Sequence, residues 1–306
     1  MTKITIAIPT YNRPEWLSAA VKSVLNQTIQ DFEIIIFDSG SDYDVSSRIA
    51  ALNDSRIKLQ KSENYIDGTA NFKRIFNFKY NTEYLIIFHD DDTMHPQLIE
   101  RELTIMEKYR DLVWIGTGLK FVHDGSKMNI FQLLGILKNF KIYDTADLVR
   151  LILNNFHLSY GTVMYRTVFI AYVDLYSKYY KWFDRPFLIE LSKKGKIAVI
   201  NEELVNYRVH QGQGSRADNL DKLPYLLNLF NYYKENLPMP LSSSDKKLFY
   251  AWSSNHLILS LASFAENFRS YIDLLKKCHG DGLFKPLYLN GRGIFYFLKV
   301  IKKYLC

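Results

Sequence analysis

Cysteine is almost missing: Cys278 and Cys306 are the only two in 306 residues. Two so placed make neither a disulfide framework nor a thiolate metal site, so a reducing, cytoplasmic compartment is expected. No run of about 18 apolar residues occurs, which argues against a transmembrane helix. The opening MTKITIAIPTYN reaches Pro9 and Tyr11 too early for a secretory signal. PTYNRP, which follows the first apolar segment, holds no glycine, so the G-x-G-x-x-G of a dinucleotide-binding oxidoreductase is absent. G-x-x-x-x-G-K-[ST] is absent too, which excludes a Walker-type nucleoside triphosphatase. Low-complexity tracts and internal repeats are also lacking.

What is present has the composition of a globular chain, 48% hydrophobic and 23% charged. The net charge of +7 is uneven. From Arg216 to Cys306 there are 13 Lys+Arg against 7 Asp+Glu, a surplus of six, so the first 215 residues are nearly neutral. An acidic partner is expected for the tail alone. The charge is too diffuse for a nucleic-acid interface.

ITIAIPT (4–10), FEIIIFD (32–38), RIKLQ (56–60) and YLIIFH (84–89) read as buried strands. Between them lie helical patterns: EWLSAAVKSVLNQ after an expected Asn12 cap and Pro14, GTANFKRIFNF, and a helix starting at Pro96. This alternation predicts an α/β fold with a parallel sheet covered on both faces. Ligands then gather beyond the strands' carboxyl ends, where PTYN, DSGS and HDDD fall. Beyond residue 110, LVWIGTGLKFVHDG predicts two short strands with a turn at Asp124-Gly125. HLSYGTVMYRTVFI predicts a loop followed by a strand or the start of a helix. WFDRPFLIELSKKGKIAVI predicts a helix stopped at Gly195 and then a strand. EELVNYRVHQGQGS predicts a strand running into a loop. Past Ser215 the chain reads as mostly helical.

A strand that runs into Asp90, Asp91 and Asp92 places three like charges together, an arrangement that suits a hard divalent cation with oxygen ligands. A solvated turn would use aspartate as well. The neighbouring strand-end clusters favour the cation.

These motifs, in this order, resemble an inverting family 2 glycosyltransferase of bacterial surface-polysaccharide type. The segment ITIAIPTYNRPEWLSAAVKSVLNQTIQDFEIIIFDSGS is similar to the family's opening, with its P-T-Y-N turn and S-x-L-x-Q-T helix end. HDDDTMHPQLIERE resembles the family's metal-binding D-x-D-D-x-x-x-P segment (the DXD motif), with His89 at the first carboxylate. NYRVHQGQGS resembles its Y-R-x-H-x-x-Q-x-S element. The resemblance spans roughly residues 3–215. It implies a GT-A fold, Rossmann-like, with a mostly parallel central sheet flanked by helices. A catalytic domain over 1–215 and a helical, basic, aromatic region over 216–306 are expected.

The resemblance also implies roles. Pro9, Thr10 and Tyr11 would line the base pocket, and Asp38 would bind the base or ribose. Ser39 stands where many relatives carry a second Asp. Gly68 and Asn71 would border the nucleotide, with Lys73 or Arg74 reaching the diphosphate. Asp91, Asp92 and His210 would hold Mn²⁺ or Mg²⁺, and Asp90 would serve the donor side. Asp184, eleven residues before Gly195, would be the catalytic base, preceded by Phe183 where the family has an acid; capping the following helix is its structural role. Ser159, Gly161 and Trp182 would border the acceptor. The implied reaction moves a sugar from a nucleoside-diphosphate sugar, a UDP-sugar favoured, to a hydroxyl of a glycan or polyprenyl-diphosphate-linked acceptor. A catalytically inactive GT-A-like protein that binds a sugar nucleotide or glycan is the alternative. The closing GIFYFLKVIKKYLC joins an aromatic, apolar face to Lys299, Lys302 and Lys303. It fits either an anionic membrane surface, which implies a peripheral position on the inner face of the cell membrane, or a terminal helix packed on the catalytic domain.

Overall fold

The computed structural model describes residues 2–123, 140–156, 158–170, 176–210 and 222–305. The turn expected at Asp124-Gly125, His157, the QGQGS stretch and the 215/216 junction lie outside them. Among the described residues no helix is long and apolar enough to cross a membrane.

Alternation builds the centre of the sheet. In β1 (Ile4–Thr10), Ile4, Ile6 and Ile8 enter one core, which they share with Ile34 and Ile36 of β2 (Phe32–Asp38) and Ile86 of β4 (Tyr84–Ile87). The intervening Ala7, Ile35, Leu85 and Ile87 are buried on the other face, so both faces are covered. β1 pairs in parallel with β2, Ile4↔Phe32 through Thr10↔Asp38, and with β4, Ile4↔Tyr84 through Ala7↔Ile87. β3 (Ile57–Lys61) extends the parallel set beside β2. This register brings the carboxyl ends of β1, β2 and β4 to one edge. PTYN, DSGS and HDDD therefore lie side by side.

Helices cover these strands. α1 (Pro14–Leu25) turns Leu17, Ala20, Val21 and Val24 inward. Asn12 is not its cap. That position falls to Arg13, without a side-chain bond, while Asn12 adopts a left-handed backbone with φ 52°. Asparagine tolerates that conformation. Its amide is spent on Asp42, donating to Oδ2 at 2.7 Å and accepting from the Asp42 N–H at 2.8 Å, which ties the β1 turn to the β2 turn. α2 (Val45–Ala50) follows β2, and α3 (Gly68–Asn77), capped by Asp67, packs on β1 and β2. α4 (Leu98–Lys108) begins two residues after Pro96.

The rest of the sheet is mixed. Its order is β3-β2-β1-β4-β8-β6-β9-β5, with β7 also on β9. The added strands are β5 (Thr93–Met94), β6 (Leu112–His123), β7 (Phe140–Tyr143), β8 (Val163–Arg166) and β9 (Lys196–Val209). β8 runs antiparallel to β4 and β6, while β6 and β9 are parallel. Ahead of the expected Asp124-Gly125 turn, residues 112–123 form one strand of 12 residues. Gly116 and Gly118 do not end it. The register against β9 slips around Gly118 instead, an irregularity that a side-chain-free position absorbs.

The chain forms two compact units: Met1–Asp144, His157–Asp174 and Phe187–Gln213 make the first, with Thr145–Phe156, Leu175–Pro186 and Gly214–Cys306 in the second. The second is helical, with α5 (Thr145–Leu153), α6 (Tyr176–Tyr179), α8 (Leu223–Glu235), α9 (Ser243–Phe264), α10 (Phe268–Gly280) and α11 (Gly291–Leu305). α7 (Asp184–Ser192) starts in the second unit and continues in the first. α5, α8, α10 and α11 pack on α9. Arg150 of α5 forks onto the buried Asp245 of α9, Nε to Oδ1 at 2.9 Å and Nη2 to Oδ2 at 3.1 Å.

Candidate active site

β4 ends at Ile87, and the chain turns through His89, Asp90, Asp91 and Asp92 before β5. All three aspartates are buried. Ligand atoms of His89, Asp91 and Asp92 lie within 4.8 Å of one another. His210, at the end of β9, brings Nε2 to 3.1 Å from Asp91 Oδ2, while His89 Nδ1 stands 4.0 Å from Asp91 Oδ1. Asp91 is thus flanked by two imidazoles. Thr10 Oγ1 donates to Asp90 Oδ2 at 2.8 Å, and Thr10 is the register partner of Asp38. The structure therefore brings Thr10, Asp38, Asp90, Asp91, Asp92 and His210 to one sheet edge.

Two arginines not singled out from the sequence complete the cluster. Arg13 Nη1 stands 3.0 Å from Asp90 Oδ1 and 2.7 Å from Asp91 Oδ2. The Arg208 backbone N–H donates to Asp92 Oδ1 at 2.8 Å, and its Nε donates to the Asp91 carbonyl at 3.0 Å. Both guanidinium groups lie 5.5 Å from the Trp16 ring, which also meets His210 at 4.3 Å between centroids.

The S-x-L-x-Q-T and Y-R-x-H elements acquire a physical reason here. Gln27 at the end of α1 donates to the His95 carbonyl at 2.7 Å and accepts from the Ile99 N–H at 3.0 Å, one of the orphan donors opening α4. Ser23 Oγ accepts from the Met94 N–H, and the Thr28 N–H donates to the Pro96 carbonyl. From the other side, β9 pairs with β5 through Thr93↔Asn206 and Met94↔Val205. The acidic turn is held at both ends.

Electrostatics follow from this crowding. Burial pushes Asp90 up to about 6, against the pull of Arg13. Burial and then the Asp91 charge push Asp92 well above the ordinary carboxylate range. Burial acts on Asp91 in the same sense, but His89, Arg13 and His210 outweigh it and lower the carboxyl. Burial lowers the His89 imidazole, and Arg13 adds to that.

On the nucleotide side, Asp38 Oδ1 accepts from the Ser41 N–H at 3.0 Å and Oγ at 2.7 Å, whereas Oδ2 is buried with no partner among the described residues. Ser39 is buried, its N–H on the Thr10 carbonyl and its carbonyl on the Ile66 N–H. Pro9 is part-buried opposite Phe37. Tyr11 is exposed and packs on Tyr65, also missed in the sequence, at 4.8 Å between centroids. Asn71 is buried and donates to the Phe37 carbonyl at 2.7 Å, so it braces β2. Gly68 and Lys73 are exposed on α3. Arg74 donates to the carbonyls of Asp38 and Gln60.

Ser159 and Gly161 both meet His89. Ser159 Oγ is 3.3 Å from His89 Nε2, and the Tyr160 ring stacks on the imidazole at 4.4 Å. Asp184 and Trp182 belong to the second unit. Asp184 is the first residue of α7, where the helix N-terminus favours a carboxylate. It keeps some solvent access, yet burial raises its pKa against the pull of Arg185. A cavity of about 870 Å³ lined by Phe76, Tyr80, Glu83 and Arg166 opens at the amino end of β4 instead, so concavity alone does not mark the site.

This sheet, with an acidic turn after a central parallel strand, is a GT-A glycosyltransferase fold. S. aureus TarS 1-349 in complex with UDP-GlcNAc shares it with a TM-score of 0.63 at 14% identity, over 98% of this chain and 91% of that one. The chain belongs to glycosyl transferase family 2, which its residues 5–173 match. An uncharacterized glycosyltransferase of Haemophilus influenzae is 26% identical over 222 residues, 71% of this chain and 68% of that one. The GalNAc(5)-diNAcBac-PP-undecaprenol beta-1,3-glucosyltransferase of Campylobacter jejuni is 34% identical over 110 residues, 35% of each chain. Matches to three Rickettsia glycosyltransferases span only 18%, 15% and 22% of those longer proteins.

Proposed function

We propose that the protein is a metal-dependent, inverting glycosyltransferase that moves a sugar from a nucleoside-diphosphate sugar, a UDP-sugar favoured, to a hydroxyl of a glycan or lipid-linked acceptor. The observation that carries the reading is the convergence of His89, Asp91 and Asp92 beyond β4, within 4.8 Å, beside β1 and β2 ends that hold the unpartnered Asp38 Oδ2. Buried carboxylates held above their ordinary pKa are short of positive charge, and carboxylate oxygen donors suit Mg²⁺ or Mn²⁺. Asp91, Asp92 and His210 would hold the ion, with His89 close by. It would offset negative charge on the departing diphosphate.

The remaining roles fall to the chain itself. Tyr11 with Pro9 would meet the base, Asp38 would accept from base or ribose, and Ser39 would hold that turn. Asp90, fixed by Thr10 and Arg13, would border the donor, as would Gly68, Asn71 and Lys73. The acceptor would approach Ser159, Gly161 and Trp182. Its oxygen forms the new bond to the anomeric carbon as the bond to the diphosphate oxygen breaks. Asp184 takes the hydroxyl proton, and its raised pKa makes it a stronger base than a free carboxylate. Residues 1–215 would form the catalytic domain and 216–306 its extension, on the cytoplasmic side. Lipid-linked acceptors and surface-polysaccharide synthesis gain support from the Campylobacter relative's name.

The test is transfer from labelled sugar nucleotides in the presence of Mn²⁺. Asp91→Ala should lower it at least about 100-fold with the fold retained. Turnover equal to the parent would reject the metal assignment.

A further inference from the structure

α11 is apolar on two sides. Its inward stripe anchors it: Val300 is buried, and Tyr304 Oη donates to the carbonyls of Ala262 at 3.1 Å and Ala265 at 2.9 Å. One such stripe is enough to dock a surface helix. The outward side nevertheless carries Ile294, Phe295 and Leu298, exposed by 49%, 62% and 58%. Ile294 and Leu298 are one turn apart and continue into Lys302, so this is a contiguous face. Just upstream, Leu287 is 91% exposed.

The rim of that face is cationic. Arg292, Lys299 and Lys302 are all exposed, and no acidic residue follows Asp281. Lys299 and Lys302 make no ion pair among the described residues. Large apolar side chains left in water, on a helix whose charges are all of one sign, mark a binding face. A second copy of this chain is a poor occupant, because a two-fold contact is self-complementary and α11 itself carries no acid to meet its own lysines. An anionic bilayer satisfies both parts, taking the apolar residues at the headgroup boundary and pairing the cations with lipid phosphates.

We propose that the outward face of α11 docks this protein on an anionic membrane surface, with Ile294, Phe295 and Leu298 inserted and Lys299 and Lys302 on the headgroups. The docking stands on α11 alone and does not depend on the glycosyl-transfer reading.

Sedimentation of the full chain with vesicles tests it, using phosphatidylcholine alone or with about 30 mol% phosphatidylglycerol. The expected result is binding to the anionic vesicles only. Phe295→Ser with Leu298→Ser, and separately Lys299→Gln with Lys302→Gln, should each weaken it at least about tenfold. Both pairs point outward, so melting temperatures should match the parent. If the serine pair misfolds, the glutamine pair still decides. Absence of parental binding, or binding unchanged by a folded variant pair, overturns the proposal. So does light scattering that finds a dimer lost on Leu298→Ser in a chain that ignores vesicles.

Discussion

Arg13 Nη1 stands 2.7 Å from Asp91 Oδ2, on the same carboxylate oxygen that His210 Nε2 reaches at 3.1 Å. The guanidinium also contacts Asp90 and is the main fixed cation of the acidic turn. It therefore does in part what a bound divalent ion would do, and the two positive charges would oppose each other.

Arg13→Gln should accordingly destabilise the cation-free protein by about 1–3 kcal/mol, less than for a fully buried pair because Arg13 keeps solvent contact. Added Mn²⁺ should then raise the melting temperature more in the variant than in the parent, since a competing charge has gone. Equal shifts would show that Arg13 and the ion do not share the carboxylates.

Asp184→Asn should leave donor binding unchanged and reduce transfer about 10²–10⁴-fold, the usual worth of a positioned general base. The pH profile is the sharper readout. A base works ionised, and burial raises the Asp184 pKa, so transfer should fall as pH drops through a value above that of a free carboxylate, about 3.9. That acid limb should vanish in the asparagine variant. If it persists, another group is the base, with Glu190 the next carboxylate on α7.

Gly161 is tight for a reason specific to the site: a Cβ there would enter the space of His89 Cδ2, and Tyr160 stacks on the imidazole. Gly161→Ala should displace His89 from Ser159 and weaken Mn²⁺ binding about tenfold by calorimetry. Gly68→Ala is the control. Nothing lies within 4 Å of a Cβ at Gly68, the first residue of α3, so cation affinity should not change. Similar losses from both would undercut the placement of His89 at the ion.

Much of this site was legible because its strands write their burial plainly. Ile4, Ile6 and Ile8 alternate, and β4 runs apolar into the aspartates, so the edge where PTYN, DSGS and HDDD meet follows from the parallel pairing. Arg13 was not legible, and Arg208 was legible only as a letter of the Y-R-x-H element, not as a partner of the aspartates. Each is a lone cation whose partners lie 77 to 117 residues away in sequence, and only tertiary register brings them together. Gln27 was legible as part of a motif but not as a brace, because its job is to satisfy backbone groups of another helix. β5 and β7, of two and four residues, are too short to carry a period.

Glu102 gives a test that is independent of catalysis. It sits on α4, fully buried, and neither carboxylate oxygen has a partner among the described residues. Burial pushes its pKa well above the ordinary value, so the folded protein holds a proton there that the unfolded chain releases near pH 4.3. Between those two values the folded state binds more protons, and stability falls as pH rises. Glu102→Met fills similar volume without that penalty and should stabilise the protein by about 1–3 kcal/mol at pH 8. Urea unfolding at pH 5 and pH 8 decides it: the gain over the parent should be larger at the higher pH. A gain independent of pH would mean that Glu102 has the same pKa in the folded and unfolded chain, and the unpartnered burial assigned to it would be wrong.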